Sequence, residues 1–184
     1  MQDTGIIRRI DELGRVVIPK ELRRKLRIRE GDPLEIYTNN DQMVLKKYSP
    51  MASLSENAKS VADGIYGVNG KLCIVTDRNH VLSISKGKLK ELVGKEITLG
   101  IDKILRDRKV VKSSVAEGQT IVPIVHGVEN EMQITSQIIV PIIANGDVYG
   151  SVILVDGNQN FIFSKQDENL ATLGASFLSS QLEE

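Results

Sequence analysis

The chain has 184 residues, enough for one or two compact domains, with an apolar content of 41% and 24 basic against 24 acidic side chains, so its formal net charge is zero. No apolar run approaches the ~20 residues that span a bilayer, and the N-terminus lacks the charged-then-apolar layout of a secretory signal. A cytoplasmic globular protein with no membrane partner is expected.

The charge is unevenly spread. Residues 1–29 hold 9 Lys/Arg against 4 Asp/Glu, whereas the chain after residue 48 holds 13 against 16. In that basic front, Thr4 to Ile10 and Arg15 to Ile18 are short β-branched runs separated by Asp11-Glu12-Leu13-Gly14, which reads as two strands around a tight connection. Pro19 suits the start of a helix and Lys20 to Leu26 supplies strong helix formers. After the breakers Arg29-Glu30-Gly31-Asp32-Pro33 come two more strands, Leu34 to Thr38 and Met43 to Lys47, around Asn39-Asn40-Asp41. So short a segment with few large side chains buries too little surface to fold alone, and dimerisation is the natural remedy.

At about 100° per residue, Leu22 and Leu26 share one side of the short helix, while Lys20, Arg24 and Arg27 fall on the far side with Arg23 on its flank. Arg8, Arg9 and Arg15 add charge from the neighbouring strands. Glu21 and Lys25, spaced i,i+4, can pair with each other and leave the arginines free.

The run Thr4-Gly5-Ile6-Ile7-Arg8-Arg9-Ile10-Asp11-Glu12-Leu13-Gly14-Arg15-Val16-Val17-Ile18-Pro19, with Glu21-Leu22-Arg23-Arg24, Leu34-Glu35-Ile36-Tyr37 and Leu45-Lys46-Lys47-Tyr48, resembles the swapped-hairpin DNA-binding domain of AbrB-type transition-state regulators. The resemblance implies a homodimeric β-barrel whose hairpins exchange between protomers, with double-stranded DNA as partner. It implies that Arg8, Arg15, Arg23 and Arg24 contact DNA, with Arg9, Lys20 and Arg27 as weaker candidates. Phosphate contacts then supply most of the affinity and groove shape sets preference.

Ser49-Pro50 closes this domain, taken as residues 1–50. A second domain, 51–184, opens with a linker helix whose capping box is Ser53-Leu54-Ser55-Glu56 and whose apolar residues run from Leu54 to Ile65, until Gly64, Gly67 and Gly70 loosen the chain. Lys71 to Asp77 and His80 to Ser85 read as a hairpin, Leu89 to Val93 and Ile101 to Arg108 as short helices, and Thr120 to His126, Ile134 to Ile143 and Asp147 to Asp156 as strands. A last helix is capped by Ser164 and Asp167, with Leu170, Leu173, Phe177 and Leu178 on its apolar face. The lone Cys73 excludes a disulfide framework, a CxxC pair and a multi-cysteine zinc site, and its apolar neighbours mark a core thiol. His80 and His126 are too few and too far apart to suggest a metal.

This order resembles a GAF sensor domain, an antiparallel sheet with helices on its faces, and gives an α+β protein overall. The whole architecture resembles AbrB-type regulators of late spore development that carry a C-terminal GAF domain, which implies an activator or repressor of transcription, assembled as a homotetramer through the GAF helices. Glu117-Gly118-Gln119 and Asn130-Glu131-Met132 read as ordinary polar loops that could rim a GAF pocket; no NKxFDE-like signature is present, any small-molecule ligand is unidentified, and no cofactor or metal is expected. Asp102 with Asp107, or Glu129 with Glu131, can be drawn as acid pairs, yet no nucleophile stands beside a base and no catalytic residue is assigned. The rival reading is the antidote of a toxin–antitoxin pair, which shares the swapped-hairpin fold but ordinarily follows it with a short toxin-wrapping tail.

Overall fold

The computed structural model describes residues 6–85, 89–126 and 133–183. The chain divides into two compact units between Tyr48 and Ser49.

In the first unit, Asn40 adopts a left-handed backbone (φ 51°) and reverses the chain between β1 (Leu34–Asn39) and β2 (Gln42–Lys47), which pair antiparallel from Leu34↔Lys47 to Asn39↔Gln42. Asparagine tolerates that conformation better than most residues because its short amide bonds locally. Helix α1 spans Lys20–Lys25 and buries none of its residues. Of the two strands expected between residues 4 and 18, the described residues 6–18 join no ladder within the single chain, although Asp11 and Gly14 close a turn through Gly14 N to Asp11 O and Asp11 N to Arg15 O, both 3.0 Å. A strand needs a neighbour for its N–H and C=O groups, and none of the described residues supplies one here. Ile7, Ile10, Leu13, Val16 and Val17 are exposed, as is Leu26, so the side of the helix that Leu22 and Leu26 share is not a closed core in the single chain.

The second unit is built on a five-stranded antiparallel sheet of order β4-β3-β7-β6-β5, where β3 is Leu72–Asp77, β4 Val81–Ile84, β5 Val111–Ser114, β6 Ser136–Ala144 and β7 Asp147–Asp156. Because strand side chains alternate, Cys73, Val75, Ile138, Val140, Val152 and Leu154 line one face, and Ile74, Ile139, Ile153 and Val155 the other. Both faces are covered, so the strands read as nearly continuous apolar runs. Helices α2 (Pro50–Ser53), α3 (Ser55–Asn69) and α5 (Lys165–Ser180) cover the first face; α4 (Leu99–Asp107) and a 3-10 turn at Lys90–Leu92 cover the second.

Several expectations need correction. Ser53 does not cap α3: its hydroxyl donates to the Pro50 carbonyl at 2.6 Å and ends α2, and Leu54 separates the two helices. Gly64 and Gly67 do not loosen the chain, because tertiary packing of Ala58, Ala62 and Ile65 carries α3 to Asn69. Thr120 to His126 forms only an isolated bridge, Ile97↔Val125; Pro123 lacks a backbone donor, and the edge beside β6 is taken by β5, a strand the sequence reading passed over. The Ser164–Asp167 capping box is present in both directions. On α5, however, the buried side is Ala171, Gly174, Ala175 and Leu178, while Leu173 and Phe177 remain 67% and 47% exposed. Cys73 is fully buried, and burial, with the nearby Asp63 charge, pushes its thiol up to about 12.

Candidate nucleic-acid interface

The local fold of the first unit presents its cations in two groups. On α1, Lys20, Arg23 and Arg24 are exposed, and their i,i+3 and i,i+4 spacings place them on adjoining rows of one surface. The helix closes with Arg27 N donating to Arg24 O (3.2 Å) and Ile28 N to Arg23 O (2.8 Å), the double bond of a Schellman ending, in which the left-handed residue is usually glycine. Here it is Arg27, at φ 50°. Its carbonyl is held by Lys47 Nζ at 2.8 Å, and that ammonium lies 3.2 Å from Asp32, which also accepts from the Arg29 amide at 2.9 Å. Lys47 and Asp32 therefore brace the loop that follows the basic helix.

The second group flanks the Asp11 turn. Arg15 is not free there. Asp11 accepts from the Leu13 and Arg15 amides (3.0 and 2.8 Å) and from Arg15 Nε at 2.8 Å, and bonds from the backbone and side chain of Arg15 hold its carboxyl below the usual range. Arg8 and Arg9 are exposed before the turn. Among the described residues no hydrogen bond or ion pair joins Arg8 or Arg15 to α1. Asp11 and the Lys47–Asp32 brace were missed in the sequence. The i,i+4 spacing of Asp11 and Arg15 was the available signal for the first; the second pairs residues too far apart in sequence to be read.

In the second unit, Gly118 (φ 73°) ends a 3-10 turn at Val115–Glu117, and the Gln119 side chain accepts from Ser114 N at 2.9 Å. These residues knit a loop to β5; the other suggested pocket rim, Asn130-Glu131-Met132, and the acids Glu129 and Glu131 lie outside the described residues. Asp102 is buried on α4 with Arg106 at 3.3 Å, while Asp107 is exposed, so they do not form an acid pair. No group of three or more His, Cys, Asp or Glu suited to a metal occurs among the described residues.

Comparison with known proteins gives matches in both units. A family model described as stage V sporulation protein T C-terminal, transcription factor, matches residues 53–183, and one described as antidote-toxin recognition MazE, bacterial antitoxin, matches residues 7–53. The chain is 40% identical to stage V sporulation protein T of Bacillus subtilis (strain 168) over the full length of both, and 41% identical over 93 residues, half of this chain and 97% of the other, to the transition state regulatory protein AbrB of the same organism. Among solved structures, the GAF domain of an Acinetobacter phosphoenolpyruvate-protein phosphotransferase superposes with a TM-score of 0.59 at 14% identity, covering 74% of this chain and 84% of that one. At that identity the likeness establishes the fold alone: the antiparallel sheet with its two covered faces is a GAF fold.

Proposed function

The chain belongs to the stage V sporulation protein T family of transcription factors, and from that premise we propose that it is a DNA-binding regulator of late sporulation genes, acting in the cytoplasm. Its first unit grips duplex DNA as a swapped-hairpin dimer, and its GAF-fold unit assembles dimers into a tetramer and senses an unidentified small molecule. The observation that carries the DNA contact is the exposed basic surface of α1, with Lys20, Arg23 and Arg24 together and Arg27 at its end. Arg8, Arg15, Arg23 and Arg24 are the principal contacts, and Arg9, Lys20 and Arg27 lie at the margin.

Dimerisation is supported by what the single chain leaves open. Residues 6–18 carry exposed Ile, Leu and Val and no ladder, and an open groove of about 400 Å³ is lined by Val17, Ile18, Ile28 and Leu34 together with the charged Arg23, Arg29, Glu30 and Asp32. A second copy completes both the ladder and the core, and doubles the basic surface. Tetramer formation is supported by Leu173 and Phe177, an exposed i,i+4 apolar pair on α5.

The residue 7–53 match also favours a second reading, an antidote that captures a toxin. Full-length similarity to a transcription factor favours the regulator, and a non-enzymatic role rests on that family membership. Purification of the full chain followed by titration onto labelled duplex DNA separates them. Concentration-dependent DNA binding by a self-associated protein without a bound partner supports the regulator; a stoichiometric toxin partner that must be present before DNA is bound contradicts it.

A further inference from the structure

We propose that the cationic end of α4 is a second, sequence-independent contact for duplex DNA, supplied by the GAF-fold unit. Residues 103–112 contain Lys103, Arg106, Arg108, Lys109 and Lys112 against one acid, Asp107, although residues 49–184 as a whole carry more acids than bases. Five of the thirteen Lys/Arg of residues 49–184 therefore fall within ten residues. Lys103, Arg106, Arg108 and Lys109 are exposed and Lys112 is half-buried. Arg106 is tethered to Asp102, while Lys103, Arg108, Lys109 and Lys112 make no ion pair among the described residues.

Arg108 occupies a conformation that its side chain disfavours. It ends α4 with φ 55° and ψ 29°, the left-handed state where glycine or asparagine is usual. Arg27 ends α1, the proposed DNA-binding helix, in the same state. Both basic helices thus finish on an arginine at a left-handed helix end where glycine would cost less, which leaves a cation at the tip of each.

Lys112 on β5 suffices to protect that edge strand, which leaves Lys103, Arg106, Arg108 and Lys109, all before β5, unaccounted for by edge protection. The buried centre of a protein interface is depleted of lysine and charge, whereas this segment offers exposed cations around Val110. Phosphates ask only for charge.

The inference rests on the DNA-binding reading, and the test uses the full chain on a long duplex over a salt series, comparing wild type with an Arg108→Gly, Lys109→Gln double variant. Glycine relieves the left-handed strain, so the melting temperature should hold or rise; Arg108→Gln with Lys109→Gln is the companion variant that leaves that backbone conformation populated by a side chain. Loss of two contacts from each copy in a bound dimer should flatten the plot of log affinity against log salt by about 3.6 units, at ~0.9 per phosphate. Folded variants with the wild-type slope and affinity would overturn the proposal, including the case in which the patch serves an acidic protein instead. Absence of DNA binding by the wild type would overturn the regulator reading itself, an outcome distinguishable from the first.

Discussion

Gly174 of α5 meets Ile65 of α3 so closely that a side chain fits only if its neighbours shift: a Cβ at position 174 would lie 2.9 Å from Ile65 Cδ1 and 2.9 Å from Val61 Cγ1. The two helices run antiparallel, with the Asn57 amide donating to Gln181 at 3.2 Å near one end and the Asn69 amide to Asp167 at 3.1 Å near the other. Gly174 lets the middle close. A Gly174→Val variant should lose about 1–3 kcal/mol from overpacking, read as a lower urea midpoint at unchanged slope. Gly174→Ala should cost less, since the gain in helix propensity offsets part of the clash.

Asp167 gives the acid limb of stability. Partial burial raises its carboxyl, but bonds with the Ser164 hydroxyl and amide and the Asn69 amide, with the Lys71 charge, outweigh this and hold it below the ordinary value. A lowered folded value means the contribution is full above the ordinary carboxylate range and is lost as pH falls through the folded value. Asp167→Asn should therefore lower the melting temperature at neutral pH, by the equivalent of roughly 0.5–1 kcal/mol for an exposed cap, and the deficit should shrink below pH ~4. A deficit constant with pH would assign the effect to packing.

Much of this was legible in the sequence because the determining interactions are local. Asn40, Ser164 with Asp167, and the apolar runs of β3, β6 and β7 each act within a few residues. What was not legible depends on contacts distant in sequence: β5 is a strand because Val111–Ser114 pairs with Ile139–Ser136, and α3 survives two glycines because α5 and the sheet pack against it. On α5, Leu170 and Leu178 pack on the core as expected, but Leu173 and Phe177 do not, for the same reason: the close approach of α3 selects Gly174 and Ala171 over Leu173. In the candidate interface, the basic helix face follows from spacing alone, whereas the hold of Asp11 on Arg15 and of Lys47 on the Arg27 loop needed the fold.

The Asp11–Arg15 pair makes a prediction about affinity. Asp11→Asn keeps an oxygen for the Leu13 and Arg15 amides but removes the charge that occupies the Arg15 guanidinium. Binding to duplex DNA at low salt should strengthen by about two- to fivefold, the scale of an exposed ion pair. A weakened complex would mean that Asp11 orients Arg15 toward DNA rather than competing for it.

Assembly beyond the dimer should depend on the exposed α5 pair. Leu173→Glu with Phe177→Glu should leave the fold intact, because neither side chain is in the buried core, and should convert a tetramer to a dimer in multi-angle light scattering. A variant that remains tetrameric would place the tetramer interface elsewhere, and a wild-type dimer at all concentrations would remove the tetramer from the account.

The claim that the basic face of α1 grips DNA is tested most directly by the salt dependence of binding in Arg24→Ala. Arg24 is exposed on α1 and its side chain makes no hydrogen bond or ion pair among the described residues, so its removal should leave circular dichroism and self-association unchanged. Two copies in a dimer account for two phosphate contacts, and fluorescence anisotropy over a salt series should show the slope of log affinity against log salt flattened by about 1.8 relative to wild type. If Arg24 only holds phosphate, matched and unmatched duplexes should weaken alike; if it reads a groove, the matched duplex should lose more. A folded, self-associated Arg24→Ala protein with the wild-type affinity and slope would contradict the account, because it would take the basic face of α1 off the DNA.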